Sequence, residues 1–215
     1  MKKRLLPLMI LCGLWLSAKA QSSAGLEQYY YMGNYHTFAF VPVVHYQTNQ
    51  NWYAEGRFNY EALNTLALYG GKTFEKKATV SYSATPILGV VLGEMNGGSA
   101  GLNLEMDYRR FNFNTQSQYT FSIHQQNSDF IYSWSDLTYQ FAEKFAAGFS
   151  LQQTKLHQVN GAFERGFLIK PTYKSWAFPL YVFKPESRER YFVLGINYEL
   201  ENNSAKNSIA TNHKS

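Results

Sequence analysis

The feature that most limits the fold is a two-residue alternation over Ala100–His124, AGLNLEMDYRRFNFNTQSQYTFSIH. Leu102, Leu104, Met106 and Tyr108 fall on one face, and Asn103, Glu105, Asp107 and Arg109 on the other. Past Arg110 the pattern resumes, with Phe111, Phe113, Tyr119, Phe121 and Ile123 opposed to Asn112, Asn114, Gln116, Gln118 and Thr120. Side chains alternate across a strand, so the stretch predicts a hairpin with one apolar and one polar face. Charge in mid-strand on the polar face and aromatics along the apolar face suit a wall between lipid and an interior lumen.

The same period predicts strands at Leu26–Met32, Tyr35–Gln47, Trp52–Tyr60, Thr65–Phe74, Thr79–Leu92, Asp129–Tyr139, Phe145–Leu156, Arg165–Tyr173, Trp176–Phe183 and Tyr191–Leu200. Pro42 cannot donate to a ladder and predicts a bulge or edge, and Gly70-Gly71 predicts a bend. Gln21–Gly25 reads as a loose start, and residues 201–215, polar and without aromatics, as a disordered tail. Longer connections near Glu94–Ser99, Gln125–Ser128, His157–Gly161 and Lys184–Arg188 alternate with tight ones near Arg110, Glu143-Lys144 and Lys174-Ser175. Bacterial barrels keep short turns on the periplasmic side, so the last strand descends and an even strand count follows. The expected fold is all-β: an antiparallel, up-and-down transmembrane β-barrel of twelve strands, or ten if two weaker segments are one. A secreted soluble β-sandwich acting as a binding module is the alternative with the same alternation.

The N-terminus reads as a signal peptide over residues 1–20. Lys2, Lys3 and Arg4 precede the apolar Leu5–Leu16, and Ser17-Ala18-Lys19-Ala20 supplies a small-x-small end. The apolar run is shorter than the roughly 20 residues a spanning helix needs. Cys12 lies inside it, and Leu11 before it is not small, which disfavours a lipoprotein site. Export leaves no cysteine in the mature chain, hence no disulfide or thiolate metal site. The basic balance also shrinks: of 20 Lys+Arg and 15 Asp+Glu, four cations (Lys2, Lys3, Arg4, Lys19) lie in the signal, and 20 − 4 − 15 leaves +1. Dispersed, near-neutral charge excludes a nucleic-acid partner. No later segment is a long apolar helix, so a membrane-crossing chain must be a closed barrel. Its 17 Tyr and 16 Phe would supply the two interfacial girdles.

Three segments, NWYAEGRFNYEALNTLALYGGKTF (Asn51–Phe74), FIYSWSDLTY (Phe130–Tyr139) and YVFKPESRERYFVLGINYEL (Tyr181–Leu200), resemble predicted outer-membrane β-barrel proteins of Bacteroidota. The resemblance covers nearly all of the mature chain. It implies the barrel fold and an outer-membrane location, with no catalytic residue to carry over. It further implies outer-membrane lipid and the barrel-assembly machinery as partners, with an envelope protein as a possible third. Many such barrels end on a terminal aromatic; here Tyr198 is followed by a polar tail, which places any assembly signal internally.

The inward face collects Glu55, Arg57 and Glu61 on one strand and Glu105, Asp107 and Arg109 on another. Asp136, Lys155, Lys170, Lys174 and Glu199 are further candidates. In a narrow barrel these charges must pair or stay hydrated. Opposite signs on one face favour a salt-bridged plug over an ion or solute path. The role expected is a small pore or an accessory, structural envelope protein with a largely side-chain-filled polar lumen. A lipid-directed hydrolase is the enzyme alternative, carried by Ser122 and His124 on one strand face, but the sequence shows no carboxylate to orient the histidine. His36, His45 and His157 have no metal-ligand spacing among themselves, and Gly70-Gly71 and Gly97-Gly98 lack a phosphate-loop setting. No cofactor is expected. Short loops argue against a large adhesive surface.

Overall fold

The computed structural model describes residues 22–33, 36–60, 63–123, 129–156 and 162–201. The signal region, the tail beyond residue 201, Glu61, His124, His157 and the side chains of His36 and Lys155 lie outside what it describes. Fourteen strand segments follow one another. They are β1 (Ser23–Gly33), β2 (His36–Gln47), β3 (Trp52–Phe58), β4 (Thr65–Lys72), β5 (Phe74–Lys76), β6 (Ser81–Gly93) and β7 (Gly97–Tyr108). The second half adds β8 (Phe111–Ser122), β9 (Phe130–Ala142), β10 (Phe145–Leu156), β11 (Ala162–Tyr173), β12 (Trp176–Ala177), β13 (Leu180–Phe183) and β14 (Tyr191–Glu201).

Two pairs of segments are single strands with a local break. Gly71 opposes Ile87 and Phe74 opposes Ala84, so register is kept across the gap at Thr73. There the Thr73 amide turns to the Asn51 carbonyl at 2.8 Å. Likewise Ala177 opposes Asn197 and Leu180 opposes Leu194. Pro179, which has no N–H, lies in that break. Twelve strands therefore run antiparallel around the ring, and β1 pairs β14 over Ser23–Gly33 to close it. Closure in one ring rules out the two-sheet sandwich and the ten-strand count. It also corrects the loose reading of Ser23–Gly25, whose backbone pairs with both β2 and β14. Pro42 makes no bulge: it lies just beyond Val43, where pairing of β2 with β3 ends, and the register shift falls between Tyr31 and Gly33 instead.

Outward residues form a continuous apolar belt. Leu68, Leu88, Val90, Leu137, Phe149 and Ile169 all lie exposed, Leu88 at 71 %. Soluble monomers do not expose contiguous patches on this scale. Aromatics concentrate at its edges. Trp52, Phe74, Tyr108, Phe111, Phe145, Tyr173 and Trp176 stand at the end with the shorter turns. Lys72 lies over Trp52 at 4.7 Å and Lys144 over Tyr173 at 5.8 Å, a basic fringe on an aromatic girdle. The two-residue turns at Arg109-Arg110, Glu143-Lys144 and Lys174-Ser175 share this end with both ends of the barrel wall. By the short-turn rule it is the periplasmic end.

Candidate functional site

The inward faces build two unlike halves. Toward the long-loop end the lumen is filled by buried aromatic and aliphatic side chains: Tyr69, Tyr132, Trp134, Tyr181, Phe183 and Tyr191, with Ile87, Val91 and Val193. Tyr29, Tyr31, Tyr53 and Tyr60 pack on this cluster. Trp134 is its pillar. From β9 its indole meets Tyr29 (centroids 5.6 Å apart) and Tyr31 (6.5 Å) of β1, on the opposite wall. It also meets Tyr181 (5.1 Å) and Phe183 (5.9 Å) of β13. Contacts between strands that are not neighbours in the ring must cross the lumen, so rings of this layer bridge it from wall to wall.

Arg57 is set into the same layer at 1 % exposure. Its Nε donates to Glu55, and an Nη donates to Gln118 Oε1 of β8 at 2.5 Å, spanning the lumen. The guanidinium lies between the rings of Tyr60 (4.6 Å) and Tyr69 (4.5 Å), while Tyr60 donates to Gln116 Oε1 at 2.5 Å. Tyr53 donates to the other Glu55 oxygen. A charge this deep is stable only when ion-paired and hydrogen-bonded, and cation–π contact adds to that.

Below this layer, toward the periplasmic end, lies a cavity of about 320 Å³. Glu27, Glu55, Glu105, Asp136 and Glu199 line it, against the cation Lys170 and the imidazole of His45. The vestibule is thus acidic. Asp136 accepts from Trp134 Nε1 (3.0 Å), Ser150 (2.6 Å) and Tyr181 (2.9 Å), and so holds the pillar in place. Glu105 and Asp107 both accept from Asn112 Nδ2 at 2.9 Å, near the mouth. His45 sits between Glu199 (2.9 Å) and Glu27 (3.7 Å). At the opposite end, Lys184 pairs with Glu164 (2.8 Å) and Glu189 (3.2 Å), and the hydrogen bond to Glu164 holds its ammonium above the ordinary lysine range.

The candidates from sequence are therefore dispersed. Glu55 and Arg57 form the buried pair, and Glu105 and Asp136 stand on the vestibule wall. Arg109 stands at the mouth rather than on a strand of the wall: with φ of 57° it occupies the β7–β8 turn, beside Tyr108, and borders a pocket that shares Asn112, Thr138 and Lys170 with the vestibule. Lys174, at φ 55°, is likewise a turn residue. The inward layer holds the one buried ion pair found among the described residues, Glu55–Arg57, and is otherwise mainly aromatic, because a narrow interior is filled more cheaply by large rings than by desolvated charge. The missed residues are the inward Tyr29, Tyr31, Tyr132, Trp134, Tyr181 and Tyr191. Their signal was an aromatic on the polar face of an alternating strand, as in Tyr132, Trp134 and Asp136. Ser122, at the long-loop end, has its backbone N–H bonded to Asp129 Oδ1 at 2.8 Å, and its proposed partner His124 lies outside the described residues.

A closed antiparallel barrel of twelve strands with an apolar belt outside and polar groups inside is an outer-membrane-type β-barrel, porin-like in build. Solved structures that it resembles include porins. The KdgM porin is similar with a TM-score of 0.60 and 12 % identity, over 81 % of this chain and 98 % of that one. The NanC porin is similar with a TM-score of 0.58 and 10 % identity, over 82 % and 100 %. A KdgM porin in complex with disordered oligogalacturonate gives 0.55 and 11 % over 82 % and 98 %. At these identities the likeness is one of fold. No family model and no curated protein matches the sequence. The belt, the closed ring and the porin likenesses together support an outer-membrane location.

Proposed function

We propose that this protein is an outer-membrane barrel whose lumen is shut by its aromatic layer, an accessory or gated envelope barrel rather than a standing pore. The observation that carries the reading is Trp134 wedged against Tyr29 and Tyr31 of the opposite wall, with Arg57 buried in the same layer. A standing conduit needs a hydrated path from end to end, whereas here rings from both walls are in contact. The vestibule below the layer is acidic, which favours a cation or a neutral solute over an anion. The oligogalacturonate in one KdgM structure is polyanionic, so that ligand does not transfer readily to this interior.

Liposome swelling tests the reading. Vesicles carrying the refolded wild type should be no more permeable to arabinose than protein-free vesicles, and Trp134→Ala should admit it. Rapid swelling with the wild type would refute the shut lumen.

A further inference from the structure

Where the ring closes, β14, β1 and β2 each contribute one side chain to a compact trio: Glu199, Glu27 and His45. One donor atom from each lies within 4.8 Å of the other two. Ligand atoms around one zinc ion each stand about 2.0–2.2 Å from the metal, so the trio would close on an ion by a turn of the His45 ring, whose Nε2 faces Glu199 and whose Nδ1 faces Glu27. The three are not brought together by sequence spacing. They meet because Gly25 opposes both His45 and Glu199 across the two ladders, and Glu27 follows on the same face. A Cβ on residue 25 would stand 2.2 Å from the His45 ring and 2.5 Å from Glu199 Oε1. Glycine there leaves the space in which the imidazole and the carboxylate converge.

Charge points the same way. Two carboxylates flank one imidazole, so even a protonated His45 leaves one negative charge in excess. Beside the trio stands Asn197, opposite Glu27 on β14 and on the wall of the same cavity, its Nδ2 donating to the Tyr29 hydroxyl (3.4 Å) that in turn donates to Glu27 (2.6 Å). Its Oδ1 is buried and accepts no hydrogen bond, and buried acceptors are rarely left so. We propose that Glu27, His45 and Glu199 bind a divalent transition-metal cation, and that the ion staples the seam of the barrel. An imidazole with carboxylates suits zinc or its neighbours over calcium or magnesium, which take oxygen alone. The site stands whether or not the lumen conducts, since the vestibule lies below the aromatic layer.

The probe is zinc alone, titrated by calorimetry into untagged, EDTA-treated barrel refolded in detergent, with folding checked by heat-modifiability. One ion per barrel should bind saturably and raise the Tm as zinc rises. His45→Ala and Glu27→Gln should each weaken binding by about 10–100-fold or more, since even outer partners of metal ligands cost that much. Glu105→Gln, which removes charge from the same vestibule but not from the trio, should bind as the wild type does. If His45→Ala fails to fold, Gly25→Ala tests the same point by displacing the ring, and cobalt spectra of the wild type report nitrogen and oxygen ligation directly. No saturable binding, or equal weakening by Glu105→Gln, would overturn the site and leave only diffuse acidic attraction.

Discussion

At the scale of single residues, Arg57 is a cation held almost wholly out of solvent. Its charge is tolerated because Glu55 neutralises it, Gln118 accepts from it, and two tyrosine rings cover its faces. Removing one partner of a buried pair strands the other, which costs about 3–5 kcal/mol, whereas an exposed pair is worth about 1 kcal/mol or less. Glu55→Gln should therefore lower the urea-unfolding free energy by about 3 kcal/mol, with Gln118 and the ring contacts offsetting only part of the loss. A change under about 1 kcal/mol would mean that Arg57 is solvated and the layer around it open.

At the scale of elements, the strand pattern decides which side chain meets which solvent. Leu88 lies well inside β6, faces outward and is 71 % exposed. Arginine there should cost about 2–4 kcal/mol if that face meets hydrocarbon at mid-depth. Loss of the unheated, fast-migrating gel band at lower urea would show it, and an unchanged midpoint would place Leu88 off the lipid face. Most of this level was legible in the sequence. Alternation in Ala100–Ile123 gave the β7–β8 hairpin and its faces, and parity of turns gave twelve strands. What stayed hidden depends on closure. Ser23–Gly25 carries no strand signal of its own; it becomes strand because β2 and β14 leave it two edges to fill. Arg109 continues the polar phase of β7 by count, yet the left-handed turn takes it off the wall. The trio of Glu27, His45 and Glu199 is spread over 173 positions of chain, 199 − 27 + 1, and no spacing rule could have joined it.

At the scale of the whole molecule, the interior is divided between a buried, mainly aromatic layer and an acidic vestibule. On the proposed reading, that division gives a porin-like fold without a standing channel. The layer is built from both walls, so taking away its pillar should open a path and weaken the barrel together. Truncating a buried tryptophan costs about 3–5 kcal/mol, which a closed ladder of twelve strands can absorb without losing its ring. The measurement that bears most directly on this is planar-bilayer recording of the mature protein beside Trp134→Ala, at two salt concentrations. The folded wild type should be silent, and the variant should give steady, cation-selective, salt-dependent steps. Steady steps from the wild type, of the same size as those of the variant, would contradict the shut lumen.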